Sequence, residues 1–316
     1  MKLIGAAIVV IVIVAIFFFS SKYRSGRAEA ADPSYNVNLF GLLSEAKAFR
    51  PDDLVKAFKD TWGMPLVCAE AKGIAAENET SKGYAVGNGP DKHNLFLTWS
   101  AAPLSEDRTR VLLKAAQGGF VNGIPISQPD IALLRDHKAH FQLDYILGPR
   151  NPKERMAFCA KLLLTLIKLY PFSGCVNSSA QAYTPLSRIP AHRLEKQDIT
   201  AIDLFSLFIN VHTISDKDNV EIHTHGMDQF WLPDVQIVSR TGDLSYNYDV
   251  LRNAAVYMIE KERAMNPGDT GEPAGDGVVF KAIAIKPDMQ HPFGTHGVIR
   301  LTKQELLQRP GASDRP

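Results

Sequence analysis

The sequence predicts an α+β protein: an N-terminal transmembrane helix followed by a domain of two ferredoxin-like (split βαβ) halves. Three observations predict it. The run from Leu3 to Phe19 is apolar without interruption; strand-like and helix-like pieces then alternate in the order β-α-β-β-α-β as far as Leu147; and the remainder repeats that mixture of elements. The divisions are an anchor at 1–21, a juxtamembrane linker at 22–34, a first half at 35–150, a second at 151–303 and a disordered tail at 304–316.

The opening run ends at Ser20-Ser21 and is followed by Lys22, Arg24 and Arg27. A helix of such residues satisfies its own backbone groups in hydrocarbon, so residues 3–19 are read as contacting the lipid bilayer. Cations crowd the C-terminal side, and the positive-inside rule then puts the domain in the cytoplasm, as a single-pass inner-membrane protein of a bacterial kind. The competing reading is a cleaved secretory signal with a periplasmic or secreted product; it is disfavoured because the small-x-small site Ala28-Glu29-Ala30 lies well past the apolar end. Three cysteines, Cys68, Cys159 and Cys175, are an odd number without a close pair, which suits a reducing compartment and buried thiols.

A strand is expected at Asn38–Leu43, then a helix opened by Pro51-Asp52-Asp53 and closed at Gly63. Proline fits the first turn, two carboxylates suit the positive end of the dipole, and Leu54, Ala57, Phe58 and Trp62 form the apolar stripe. Strands follow around Val67–Ala71 and Leu95–Ser100, with Glu77–Lys92 read as a polar, glycine-rich loop. A helix from Glu106 to Gln117 leads through a Pro/Gly loop to the strand His140–Leu147. The strongest helical pattern is Pro152–Tyr170, with Met156, Cys159, Leu163, Leu166 and Ile167 on one side. Strands are then expected at Cys175–Tyr183, Phe208–Thr213 and Val235–Ser239, a helix at Tyr248–Arg263, and closing strands at Val278–Lys286 and Gly297–Thr302.

A formal charge of +1 with interspersed signs gives no basic stripe, so nucleic acid is not an expected partner. No Gly-x-Ser-x-Gly elbow and no Gly-x-x-x-x-Gly-Lys-Ser/Thr loop occurs, and Gly87-Asn88-Gly89 precedes a strand instead of opening a helix. Asn78-Glu79-Thr80 and Asn177-Ser178-Ser179 are formal glycosylation sequons, treated as coincidental.

Four short motifs stand out: Asp136-His137-Lys138-Ala139-His140, Asn151-Pro152-Lys153-Glu154-Arg155, His223-Thr224-His225-Gly226-Met227-Asp228-Gln229-Phe230, and Asn266-Pro267-Gly268-Asp269-Thr270-Gly271. In this order the chain resembles a family of bacterial α/β domains known only as a domain of unknown function, from about Leu39 to Leu301. In such sequences the Thr-His-Gly segment is followed by Phe-Gly-Leu/Met-Pro-Glu, whereas here Phe230-Trp231-Leu232-Pro233-Asp234 replaces the glycine by Trp231. That departure bears on any tight turn the glycine would permit. The resemblance implies a fold type and a domain boundary, and no activity.

Two functional classes follow. The favoured one is a non-enzymatic module that binds an unidentified protein at the cytoplasmic membrane face, with no cofactor and with Phe230 and Trp231 as interaction residues. The alternative is a metal-dependent or acid/base hydrolase. His223 and His225, two apart on a strand, point to one face, and with Asp228 they are the candidate ligands of a divalent metal; His225, Asp269 and His296 are the catalytic candidates. Against this, Asp269 after Pro267-Gly268 reads first as an Asx-type turn, and His137 and His140, three apart at a strand entry, are poor joint ligands.

Overall fold

The computed structural model describes residues 37–71, 80–89, 92–116, 120–121, 124–180, 182–189, 198–215, 218–240, 243–285 and 296–304. Two sheets and six helices make up the α+β architecture.

The first sheet has the order β2-β3-β4-β7-β1-β8-β9. Its strands are β1 (Asn38–Leu43), β2 (Val67–Glu70), β3 (Ser81–Gly87), β4 (Asn94–Ser100), β7 (Ala139–Leu147), β8 (Phe172–Asn177) and β9 (Ala182–Pro185). Interior strand β1 is antiparallel to both neighbours, with Leu42 opposite His140 on one side and Gly174 on the other. Leu39 of β1 joins a core with α1 (Pro51–Trp62) and α4 (Pro152–Leu169), whereas Phe40 and Leu42 face a second core with α2 (Glu106–Ala116) and α3 (Gln128–Arg135). Leu43, four residues after Leu39, joins the first core by the same alternation, and the register with β8 shifts between Leu42 and Leu43.

The second sheet has the order β13-β14-β15-β12-β11-β10-β5-β6. It comprises β5 (Phe120–Val121), β6 (Ile124–Pro125), β10 (Asn210–Ser215), β11 (Asn219–His225), β12 (Asp234–Arg240), β13 (Thr270–Gly271), β14 (Phe280–Ile285) and β15 (Val298–Lys303). Only β12 and β15 pair in parallel among the described strands. Helices α5 (Ala201–Phe208) and α6 (Leu244–Lys261) pack on its inner face through Leu204, Phe205, Leu251 and Met258. One continuous core runs from Leu39 of the first sheet through α1, α4, α5 and α6 to Leu301 of the second.

Three expectations are corrected. The halves are not ferredoxin-like: each sheet draws strands from both sides of residue 150, because β8 and β9 extend the first sheet beyond β1 and β5–β6 extend the second beyond β10. The expectation of a single-pass membrane protein, with the inner-membrane localisation that depended on it, is cut back to what the described residues show. No helix among the described residues is long and apolar enough to cross a membrane. The two longest, α4 and α6, are 18 residues each and amphipathic; α4 carries Lys153, Glu154, Arg155, Lys161 and Lys168. The Leu3–Phe19 run and the 304–316 tail beyond Gln304 lie outside the described residues.

The third correction concerns elements. The stretch expected as a loop before Lys92 contains β3, whose seven residues pair with β4 from Ser81↔Ser100 to Gly87↔Asn94. The Pro/Gly loop before β7 contains α3, opened by a capping box between Ser127 and Asp130, and α5 opens in the same way on Thr200 and Asp203. Phe208 ends that helix instead of starting a strand. The amide of the Asn177 sequon is buried and donates to Phe208 O and Gln229 Oε1, both at 3.0 Å, which holds β8 against the end of α5.

Candidate functional site

The segment after β11 is built by two backbone devices. Gly226 (φ 113°) turns the chain into a short 3₁₀ turn, Met227–Phe230, and Trp231 closes it in the left-handed region at φ 60°, ψ 32°. The Trp231 N–H donates to Asp228 O at 2.9 Å and the Leu232 N–H to Met227 O at 3.2 Å, so two carbonyls of the turn are satisfied before Pro233 stops it. This is a position glycine would suit, and tryptophan holds the same geometry at a conformational cost of roughly 1–2 kcal/mol. The ring is half-buried, with the Arg155 guanidinium carbon 5.1 Å from its centre. Phe230, in contrast, is 5% exposed and belongs to the core. Of the two expected interaction residues, Trp231 alone is partly open to solvent.

Beside Trp231 lies an open groove of about 420 Å³ between the start of α4 and the end of α6. Phe230, Leu232 and Ile259 are its buried apolar parts, Pro152 contributes a wall, and Arg150, Lys153 and Glu262 supply charge. Glu262 caps α6 with φ 54° and is tied across the groove: Asn151 Nδ2 donates to Glu262 Oε2 at 2.7 Å and Lys153 Nζ stands 3.8 Å from Oε1. Asn151 also caps α4, its Oδ1 accepting from Glu154 N. Trp231 and Glu262 are the non-glycine residues at positive φ among the described residues, and both line this groove.

A second cluster sits on the outer face of the second sheet. Register places His212 opposite His223, and Asn210 opposite His225. The rings of His212 and His223 stack at 5.6 Å, and those of His212 and His225 meet edge-on at 5.8 Å. Asn210 Nδ2 lies 2.9 Å from His212 Nε2; an amide N–H must donate there, so the ring is neutral with its proton on Nδ1. Burial, reinforced by the neighbouring His225, lowers the His212 pKa to about 4, and burial also lowers that of His225. His223 Nδ1 approaches Glu221 Oε1 to 3.1 Å, and His225 Nδ1 is 3.9 Å from Asp234 Oδ2. Asp234 is structural: its Oδ1 accepts from Thr224 Oγ1 at 3.0 Å and from Met227 N at 3.2 Å.

Of the remaining candidates, Asp228 and His296 act on one another by charge, while Asp269 stands elsewhere. Asp228 sits in the 3₁₀ turn, its carboxyl pKa raised by burial and drawn partly back by Gln229 N–H and His296. His296 is exposed in the turn before β15. Asp269 stands before β13, where its Oδ2 accepts from Asn266 N at 2.8 Å and its carbonyl from Ala282 N at 2.8 Å; the side chain reaches back three residues to close the turn, where an Asx-type turn would reach two residues forward. Among the described residues no group of three His, Cys, Asp or Glu side chains is arranged to hold a metal ion. His137 is fixed by Leu134 O at Nδ1 and Leu104 N at Nε2, and His140 by Ala102 O. The three thiols are free, and burial pushes each up to about 12, which removes them as nucleophiles near neutral pH. His212 is the member of the cluster that sequence reasoning missed, because the pairing of β10 with β11 that brings it to His223 is not a local signal.

No curated protein and no solved structure matches the chain. The expected resemblance to a domain of unknown function holds over a shorter stretch than Leu39–Leu301, and the Asp136–His140 and Asn151–Arg155 motifs fall outside it. Residues 223–293, from the middle of β11 past the end of β14, match the family described as a domain of unknown function (DUF4261).

Proposed function

We propose that the chain is a non-enzymatic protein-binding module whose recognition element is the Trp231 groove. One observation carries this: the two non-glycine residues held at positive φ, Trp231 and Glu262, converge on the same groove although they come from different elements. Left-handed backbone at large residues concentrates at sites of ligand contact, where the surrounding structure holds it. A half-buried tryptophan beside apolar floor residues and a charged rim has the composition of an interface anchor. The hydrolase alternative is less well supported, since His225, Asp269 and His296 sit on three separate segments and Asp269 closes its own turn.

The test is a photocrosslinking amino acid placed at position 231 in the full chain inside producing cells, with a control at Val111 on α2, which is 65% exposed. A discrete protein adduct from position 231, absent at 111, is the expected result. Equal labelling from both positions, or none from 231, overturns the reading.

A further inference from the structure

A different part of the molecule holds the larger cavity. Between α6 and the β14–β15 pair lies a cleft of about 840 Å³, within the range of small-molecule sites. Its inner walls are apolar: Ala254 from α6, Phe280 and Ala282 from β14 and Leu301 from β15, all buried. Tyr257 of α6 lines it while 42% exposed, an aromatic ring left at a cavity mouth.

The roof is the 265–273 loop, and hydrogen bonds fix it in place. Gly268 N donates to Ala282 O at 2.8 Å, Ala282 N donates to Asp269 O at 2.8 Å, and Asn253 Nδ2 donates from α6 to Pro273 O at 2.9 Å. These bonds hold the roof in place, which lowers the ordering cost of binding beneath it.

The charged groups on the lining are the Arg263 guanidinium and the Asp269 and Glu272 carboxylates. Arg263 hydrogen-bonds with Tyr257 and faces the charge of Asp269, so the uncompensated carboxylate on the lining is that of Glu272. The balance is one negative charge facing an apolar interior with an aromatic at the entrance. We propose that the cleft between α6 and β14 binds a small organic amine carrying an aromatic or similarly flat apolar body, the body against Phe280 and Ala282 and the ammonium toward Glu272. The site is separate from the Trp231 groove.

Three probes of one size separate the chemistries: tyramine, 4-ethylphenol and 4-hydroxyphenylacetate, titrated into the full-length chain by calorimetry and by chemical-shift change. Tyramine is expected to bind with Kd on the order of a millimolar or tighter, and at least tenfold more tightly than the other two. Gly271→Trp adds bulk at a lining position where a Cβ meets no atom within 4 Å, and is expected to abolish binding. Glu272→Gln keeps the shape and is expected to weaken tyramine alone. Thermal melts of both variants check folding, and Glu272→Gln, an exposed and nearly isosteric change, serves if Gly271→Trp fails to fold. Equal affinity for tyramine and 4-ethylphenol overturns the amine preference, preference for the acid assigns the site to Arg263 instead, and no binding by any probe, or tyramine binding unchanged in a folded Gly271→Trp chain, overturns the site itself.

Discussion

The Arg155 guanidinium lies 5.1 Å from the centre of the Trp231 ring, a contact between the first turn of α4 and a residue held at φ 60°. Arg155 is 1% exposed, so the ring faces a cation that water does not screen. The tryptophan thus has a favourable contact that opposes its backbone cost.

Replacing Trp231 separates the two terms. Trp231→Gly removes the ring and the left-handed penalty together, whereas Trp231→Ala removes the ring and keeps the penalty. Urea unfolding is expected to rank the glycine variant above the alanine variant by about 1 kcal/mol, the usual glycine advantage at such a position. Equal midpoints for the two would mean that the backbone at 231 is not left-handed in solution.

A second pair of substitutions tests space against conformation alone. At Gly226 (φ 113°) a Cβ would meet Ala180 Cβ at 2.7 Å and Gln229 Nε2 at 2.9 Å; at Gly268 (φ 100°) it would meet nothing within 4 Å. Gly268→Ala is expected to cost about 1 kcal/mol from strain. Gly226→Ala is expected to cost several times more, on the order of 3 kcal/mol or greater, because a close-packed interior cannot move aside. Thermal denaturation of the two variants side by side gives the comparison.

Thr224 is fully buried and bridges two strands' worth of structure, donating to Asp234 Oδ1 and accepting from Val235 N at 2.8 Å. Thr224→Val leaves a buried carboxylate and an amide each short of a partner, for an expected loss of about 2–3 kcal/mol. Thr224→Ser retains the hydroxyl and is expected to lose about 1 kcal/mol, the value of a buried methyl. Denaturant midpoints that fail to separate the two would show that the hydroxyl's hydrogen bonds carry no weight.

Much of this was legible in advance, for identifiable reasons. The helix ending at Gly63 and the long α4 carry dense local signals, and both form where expected. The α3 and α5 helices announce themselves only by Ser127-x-x-Asp130 and Thr200-x-x-Asp203, in which aspartate stands where a capping box more often has Glu or Gln. Strand β3 contains Ser81, Lys82 and two glycines, and it forms because β4 offers seven partners in register, a fact about a distant segment. At the candidate site, Trp231 drew notice as a departure from glycine, and its left-handed φ is the physical content of that departure. The histidine face needed the His212–His223 register, which strand periodicity alone does not give.

Acid is expected to destabilise the fold well before the carboxylates protonate. Burial lowers His93, His140 and His212 to about 4, and lowers His137 and His225 as well. Each folded-state pKa lies below the unfolded value near 6.5, so the unfolded chain binds more protons between the two. The stability these neutral imidazoles contribute is complete above about pH 6.5 and declines as pH falls toward 4, by on the order of 2–3 kcal/mol for each of the three strongly shifted groups. Asp144 and Asp228, raised by burial, act in the opposite direction at the acid end of that window. Urea midpoints measured from pH 7.5 to 4.5 are expected to fall steeply below 6.5, and His212→Asn is expected to flatten part of that slope. A flat profile in the parent chain would show that these rings are solvated.

The placement of β1 between β7 and β8 constrains the order of events during synthesis. Leu39, Phe40, Leu42 and Leu43 leave the ribosome early, yet one neighbour of their strand begins at Ala139 and the other at Phe172. Until residue 177 has emerged, this apolar strand has an unfilled edge, and closing it spans more than a hundred residues of intervening chain. The nascent protein thus carries an apolar strand with an open edge while the chain from Leu43 to Asn177 is made, so slowing elongation within that stretch is predicted to reduce yield, whereas slowing it afterwards is not.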